Sequence, residues 1–250
     1  MSAPEFFAAI AAGDVDGVRA MLDQAPDLLD EPGPEGESPA LSALYHRHGP
    51  LADELAARTG ELTIFEAAAF DDTERLAEII DKHPDSLVAF SADGWQPLHL
   101  AAFFGRAEAA RVLLDADAPV DEVSRNAIAV QPLHAAVAGR HSEVVWLLLA
   151  SDAPVDEPQQ QGWTPLQVAV RNGDVESVRA LLAAGADPDR PKEDGVTARH
   201  LAAAEAEAGS GVGAAGTAGT AGTAGTAGSF GAGDGADAGA AAETIRALLS

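Results

Sequence analysis

A chain of 250 residues, 47% of them hydrophobic, is long enough to bury a substantial core and is not a disordered polymer as a whole. Forty acidic against fifteen basic residues give a formal charge of −25, which repels phosphate backbones and anionic membrane surfaces, so neither nucleic acid nor a membrane is expected as a partner. The absence of cysteine excludes disulfides and thiolate metal sites, and no apolar run approaches the roughly 18 residues needed to span a bilayer.

The amino-terminal MSAPEFFAAIAAGDVDG lacks a basic start and meets acids early, unlike a secretion leader, so a soluble cytoplasmic protein is expected. From Glu5, EFFAAIAAGDVDGVRAML reads as two short helices separated at Gly13. The same pattern returns in SPALSALYHRHGPLADELAAR with Pro39 in frame, and in LTIFEAAAFDDTERLAEII with Ile64 in frame. It is clearest in WQPLHLAAFFGRAEAARVLL, VQPLHAAVAGRHSEVVWLLL and WTPLQVAVRNGDVESVRALL, which contain Pro97, Pro132 and Pro165. Ile64 lies 33 residues before Pro97, Pro132 lies 35 after it and Pro165 a further 33 on, whereas Pro39 precedes Ile64 by only 25, so the second copy has lost most of its connecting loop.

A seventh copy opens at VTARHLAAAEAEAG, with Ala198 falling 33 residues after Pro165, and runs into a Gly/Ala/Thr-rich stretch at 209–239. Its second half arrives late, as AETIRALL at Ala242–Leu249, matching VESVRALL at Val175–Leu182 nearly position for position. The low-complexity stretch therefore reads as a disordered insertion between two halves of one repeat. Closing so long a loop costs roughly 2–2.5 kcal/mol more than a two-residue turn. Burying Ile245, Leu248 and Leu249 could return about 1.5–3 kcal/mol each before ordering costs, so the last helix is expected to dock on the sixth copy and to fray readily. Expected repeats lie near 4–36, 37–61, 62–93, 94–128, 129–161, 162–194 and 195–250, one array spanning 1–250.

The residue types within a copy have physical reasons. Proline at the first helical position loses nothing, since its missing N–H would be unpaired there and its φ is already helical. The preceding Gln96, Gln131, Thr164 or Thr197 is placed to cap or brace that turn, threonine being the better cap. Gly105 and Gly173 stand where the first helix must end in a left-handed turn. Val144, Val145, Leu147, Leu148 and Leu149 give the second helix its apolar face. Helices this short are marginal alone and must stack to persist, as in a one-dimensional solenoid.

A period near 33 with TPLH-like starts at Gln96–His99, Gln131–His134 and Thr164–Gln167, and a G-A-D turn at Gly185–Asp187, resembles the ankyrin repeat family over essentially the whole chain except about 209–239. The resemblance implies an all-α, ankyrin-repeat α-solenoid of about seven helix-turn-helix repeats, joined by short β-hairpin loops. The hairpin around Arg125–Ile128, two residues longer than its successor, is expected to stand out from the row. The resemblance also makes His99, His134 and His200 structural ties between hairpin backbone and helix.

No constellation argues for an enzyme. His46 and His48 are two apart and cannot share a helical face, and no third metal ligand is evident. Pairs such as Asp14 and Asp16, or Asp71 and Asp72, sit at helix starts and ends, where the helix dipole and solvent account for them. There is no phosphate-loop, nucleophile-elbow or zincin motif, and no metal or other cofactor is expected.

What the resemblance implies instead is a surface that binds protein, formed by hairpin residues and by first-helix ends facing a concave groove. Carried onto this chain, it places Tyr45, Phe70, Trp95, Phe103, Arg125, Gln160, Gln161, Trp163, Arg171 and Asn172 at contact positions. Tyr45, Phe70 and Phe103 share one helix position in successive copies, and Trp95 and Trp163 share one hairpin position. These rings either anchor a partner or fill grooves between adjacent repeats; aromatics and arginine most often dominate interface energies. Trp146, inside the second-helix apolar run, reads as core or outer-face packing. The expected partner of this monomer is a protein of unknown identity, basic or neutral given the acidic flanks. A regulator or stabiliser of a partner enzyme, and a small-molecule or glycan binder using the tryptophans, are the alternatives.

Overall fold

The computed structural model describes residues 2–209 and 235–250. Fourteen α-helices among them run as consecutive pairs: α1 (Ala3–Ala12) and α2 (Val15–Gln24), α3 (Pro39–Tyr45) and α4 (Gly49–Thr59), α5 (Ile64–Phe70) and α6 (Thr73–Lys82), α7 (Pro97–Phe104) and α8 (Ala107–Asp115). After these come α9 (Pro132–Gly139) and α10 (Ser142–Ala150), α11 (Pro165–Arg171) and α12 (Val175–Ala183), α13 (Ala198–Gly209) and α14 (Gly235–Leu248). First helices stack on first helices and second on second, as α7 on α9 and α10 on α12.

Local chemistry sets the boundaries. Proline occupies the first turn of α3, α7, α9 and α11. Thr164 caps α11, its Oγ1 accepting from the Gln167 amide at 3.3 Å. Gln96 and Gln131 brace rather than cap, their side-chain amides donating to the carbonyls of Val88 and Asp121 at 3.1 and 2.8 Å. Asp14, Asp72 and Asp174 cap α2, α6 and α12 through the amides of Gly17, Arg75 and Ser177. Gly105 and Gly173 end α7 and α11 with φ of 69° and 65°. The first copy differs from its expected frame, because α1 begins at Ala3 with Glu5 already in its first turn, where the Glu5 carboxylate accepts the Ser2 amide at 3.0 Å.

No strand occurs among the described residues, so the expected β-hairpins are present only as tight turns. Backbone bonds close them: Gly33 N–H to Glu37 O, Ser91 to Trp95, Ser124 to Val130, Gln159 to Trp163 and Lys192 to Val196, all at 2.8–3.0 Å, and in all but the Ser124 turn the tip glycine donates back to the first residue as well. The arms are too short for a ladder. The tips are nevertheless joined edge to edge, with Arg125 N–H donating to Gly94 O at 2.8 Å and Glu193 N–H to Gln161 O at 3.3 Å. The long tip is held on both sides, since Gln160 Nε2 also donates to Ala127 and Ile128 carbonyls at 2.6 and 3.0 Å. Where the second copy lacks its loop the row closes up: a Cβ built on Gly36 would lie 2.7 Å from that of Ala92.

Small residues let the inner helices approach. Ala67, Ala68, Ala101, Ala102, Ala136 and Ala169 are fully buried, alternating with Leu98, Leu133 and Leu166. At the carboxyl end α14 packs on α12 and α13, burying Ile245 and Leu249 and partly burying Leu248. Of the expected insertion, residues 210–234 lie outside the described residues, and α14 begins at Gly235.

Candidate protein-binding surface

The turn tips and the ends of the first helices face one another. Tyr45, at the end of α3, donates its hydroxyl to Asp93 Oδ2 in a turn tip at 2.7 Å. Burial pushes the Tyr45 pKa up, and the charges of Asp93 and Glu37 add to the effect, so this phenol remains a proton donor. One wall of the resulting groove is therefore made of tips and the other of helix ends.

Two turn-helix pairs repeat within it. Trp95 packs against Phe103 with ring centroids 5.8 Å apart, and the equivalent Trp163 packs against Arg171, whose guanidinium carbon lies 5.1 Å from the indole centroid. The two pairs differ in burial. His99 also lies 5.8 Å from the Trp95 ring, and Phe103 in turn meets Tyr45 edge-on at 6.1 Å while Tyr45 stacks on Phe104 at 5.5 Å; the indole is only 5% exposed. Trp95 thus fills a groove between repeats and is not a free contact, whereas Tyr45, Phe70, Phe103 and Phe104 keep part of their surface in solvent. Trp163 is partly exposed and also has Lys192 Nζ at 5.0 Å, and Lys192 in turn pairs with Asp194. Cations near an indole face are attracted by its quadrupole, more so when desolvated.

The remaining expected contacts divide. Arg171 and Gln161 are exposed, and Arg125 is exposed while its guanidinium lies 3.8 Å over the Phe90 ring. Gln160 is exposed, but its amide is committed to the neighbouring tip. Asn172 is a structural tie, its Nδ2 donating to the Val137 carbonyl at 3.3 Å. Trp146, on the outer helix α10, stands 47% exposed and is not core.

Asn172 belongs to a series of ties that sequence reasoning missed. His48 Nε2 donates to Ala11 O at 3.1 Å, Arg106 Nε to Ala69 O at 2.7 Å and His141 Nε2 to Phe103 O at 3.1 Å. Each joins the start of one second helix to the end of the previous first helix. Asp71 works in the other direction, its Oδ1 accepting the Ala109 amide at 2.7 Å. The available signal was a polar residue 35 to 38 positions after its acceptor.

The frame histidines also divide. His99 is fully buried and its Nε2 donates to Val130 O at 3.0 Å, tying helix to turn as expected. His134 is equally buried against the Glu157 and Trp163 backbone, outside normal hydrogen-bond geometry. Burial depresses both pKa values to about 4. His200 is exposed and its Nδ1 accepts the Thr197 amide at 3.2 Å. Glu66 and Gln167 take the same frame position in other copies; Gln167 Nε2 donates to Arg190 O at 2.8 Å.

Among the described residues no group of His, Asp or Glu is placed to hold a metal ion, and no helix is long and apolar enough to cross a membrane. Stacked helix pairs stitched through turn tips, with a groove along one side, define a helical repeat solenoid. Residues 64–158 and 124–192, together just over half of the chain, match the family model for ankyrin repeats, with three copies, and the chain belongs to the ankyrin repeat family. No curated protein matches it. Ankyrin repeats are in general protein–protein interaction modules and in general non-catalytic.

Proposed function

We propose that the chain is a non-catalytic protein-binding module, a single seven-copy array with the boundaries given above, that grips a partner in the groove between turn tips and first-helix ends. The observation that carries this reading is the Trp163–Arg171 pair, partly exposed beside exposed Gln160 and Gln161. An indole with a guanidinium at 5.1 Å is a preformed anchor of the type that dominates interface energies. The partly exposed Phe103 and Phe104 continue the groove toward the amino terminus. The strongly acidic composition supports a basic or neutral partner and a monomeric state. A cytoplasmic setting is part of the same proposal.

The test is affinity capture from the source cell with the intact protein and with a Trp163→Ser/Arg171→Ser/Phe104→Ser variant that still melts cooperatively. The reading expects a partner held by the intact protein and lost by the variant. A partner held equally by both would remove the groove from consideration.

A further inference from the structure

At the amino-terminal end of the groove, α1, the turn tip at 33–37 and the end of α3 enclose an open concavity of about 510 Å³. Phe7 and Ala8 of α1 and Pro32 and Pro34 of the tip supply apolar walls. Glu37, Ser42 and His46 supply the polar side chains. Glu37 is only 7% exposed, and among the described residues it has no ion-pair partner; its Oε2 accepts a single neutral bond, from the Glu35 amide at 2.9 Å. A carboxylate withdrawn so far from water is costly unless a cation compensates it. The imidazole of His46 donates from Nδ1 to the Ser42 carbonyl at 2.9 Å, which in the uncharged form of the ring leaves Nε2 as the lone-pair acceptor.

Two acceptors on the lining of an apolar concavity match a side chain with a long hydrocarbon stem and a head that only donates. Arginine has that form, with five N–H donors, no acceptor and a planar head that is weakly hydrated for a cation. The stem would lie along the prolines and Phe7, as long basic side chains do on apolar surface. The field agrees with this choice. The whole chain carries −25, and the charges of Asp93 and Glu37 both act to raise the pKa of nearby Tyr45, after burial itself. We infer that this concavity is a side-chain pocket for an arginine of the partner protein, with Glu37 as the counter-charge. The inference rests on the proposed use of the groove for protein binding and names the chemistry at one end of it.

The probe is the capped peptide acetyl-Gly-Arg-Gly-amide, titrated at physiological salt into the ¹⁵N-labelled full chain and followed by amide shifts. Saturable shifts are expected at 3–8, 33–37 and 42–46. The citrulline peptide, isosteric and uncharged, should bind about tenfold more weakly, as should the arginine peptide to Glu37→Gln, which keeps the acceptor for the Glu35 amide. Ala8→Leu, at an exposed position on the rim, should abolish the shifts by filling the concavity, and Glu143→Gln on the outer helix α10 should change nothing. Shifts scattered over the acidic surface, equal binding of the citrulline peptide, or indifference to both Glu37→Gln and Ala8→Leu would overturn the pocket. Partner capture separates this from the parent reading. A partner lost with Trp163→Ser but with no arginine response would leave protein binding standing and remove the pocket; a specific arginine response with capture insensitive to the groove variant would do the reverse.

Discussion

The imidazole Nε2 of His141 lies 3.1 Å from the carbonyl oxygen of Phe103, 38 positions earlier in the chain. Glycine makes the approach possible on both sides. A Cβ on Gly105 would fall 2.3 Å from the His141 ring, and one on Gly139 would fall 2.4 Å from it. Gly105 also has a φ of 69°. Gly105→Ala should therefore destabilise by roughly 2–4 kcal/mol, combining left-handed strain with overpacking. His141→Ala should relieve the packing part, so urea unfolding of the double variant should show less than additive loss.

Trp95 and Trp163 occupy one frame position with different surroundings. Removing the buried Trp95 ring leaves a cavity beside Phe103 and His99, so Trp95→Ala should cost about 3–5 kcal/mol. Trp163→Ala should cost roughly 1 kcal/mol or less and act on binding instead. Denaturant midpoints of the two variants provide the check.

The buried histidines link stability to pH. Both have folded pKa values near 4 against an ordinary 6.5, so the unfolded chain takes up their protons first. Their contribution is complete above pH 6.5 and is lost as pH falls toward 4, by at most about 3 kcal/mol per histidine. Glutamine already serves at the equivalent Gln167. His99→Gln/His134→Gln should therefore lose less stability than the parent between pH 6.5 and 4, measured by unfolding at each pH.

Aspartate stands at a glycine position twice. Asp117 and Asp152 have φ of 63° and 62°, where the sixth copy has Gly185 at 93°. Asp152 is exposed, so Asp152→Gly releases left-handed strain with little else lost. The greater freedom of glycine in the unfolded chain offsets part of that gain, leaving an expected stabilisation of about 0.5–1 kcal/mol. A raised melting temperature for Asp152→Gly, with the fold unchanged by circular dichroism, checks it.

The array was legible because its determinants are local: proline at N1, a left-handed C-cap and an apolar second helix recur at a fixed interval. The reading of Ala198 and Ala242 as parts of one copy has the same local basis, since AETIRALL repeats VESVRALL. Burial of the site residues was not local. Trp95 meets Phe103 and His99, and Phe103 is itself packed by Tyr45 from two copies earlier, whereas Trp163 meets Arg171. Frame position fixes where a ring sits, and its neighbours in other copies decide whether solvent reaches it. The His48, Arg106 and His141 ties escaped notice because each depends on a backbone carbonyl, which carries no sequence signal of its own.

The most direct test of the central claim is amide hydrogen exchange on the complex with the captured partner. Slowed exchange should concentrate in the turn tips at 91–95 and 159–163 and at the ends of α3, α7 and α11. Protection confined instead to the outer helices α8, α10 and α12 around Trp146 would contradict the assignment of the groove as the binding surface.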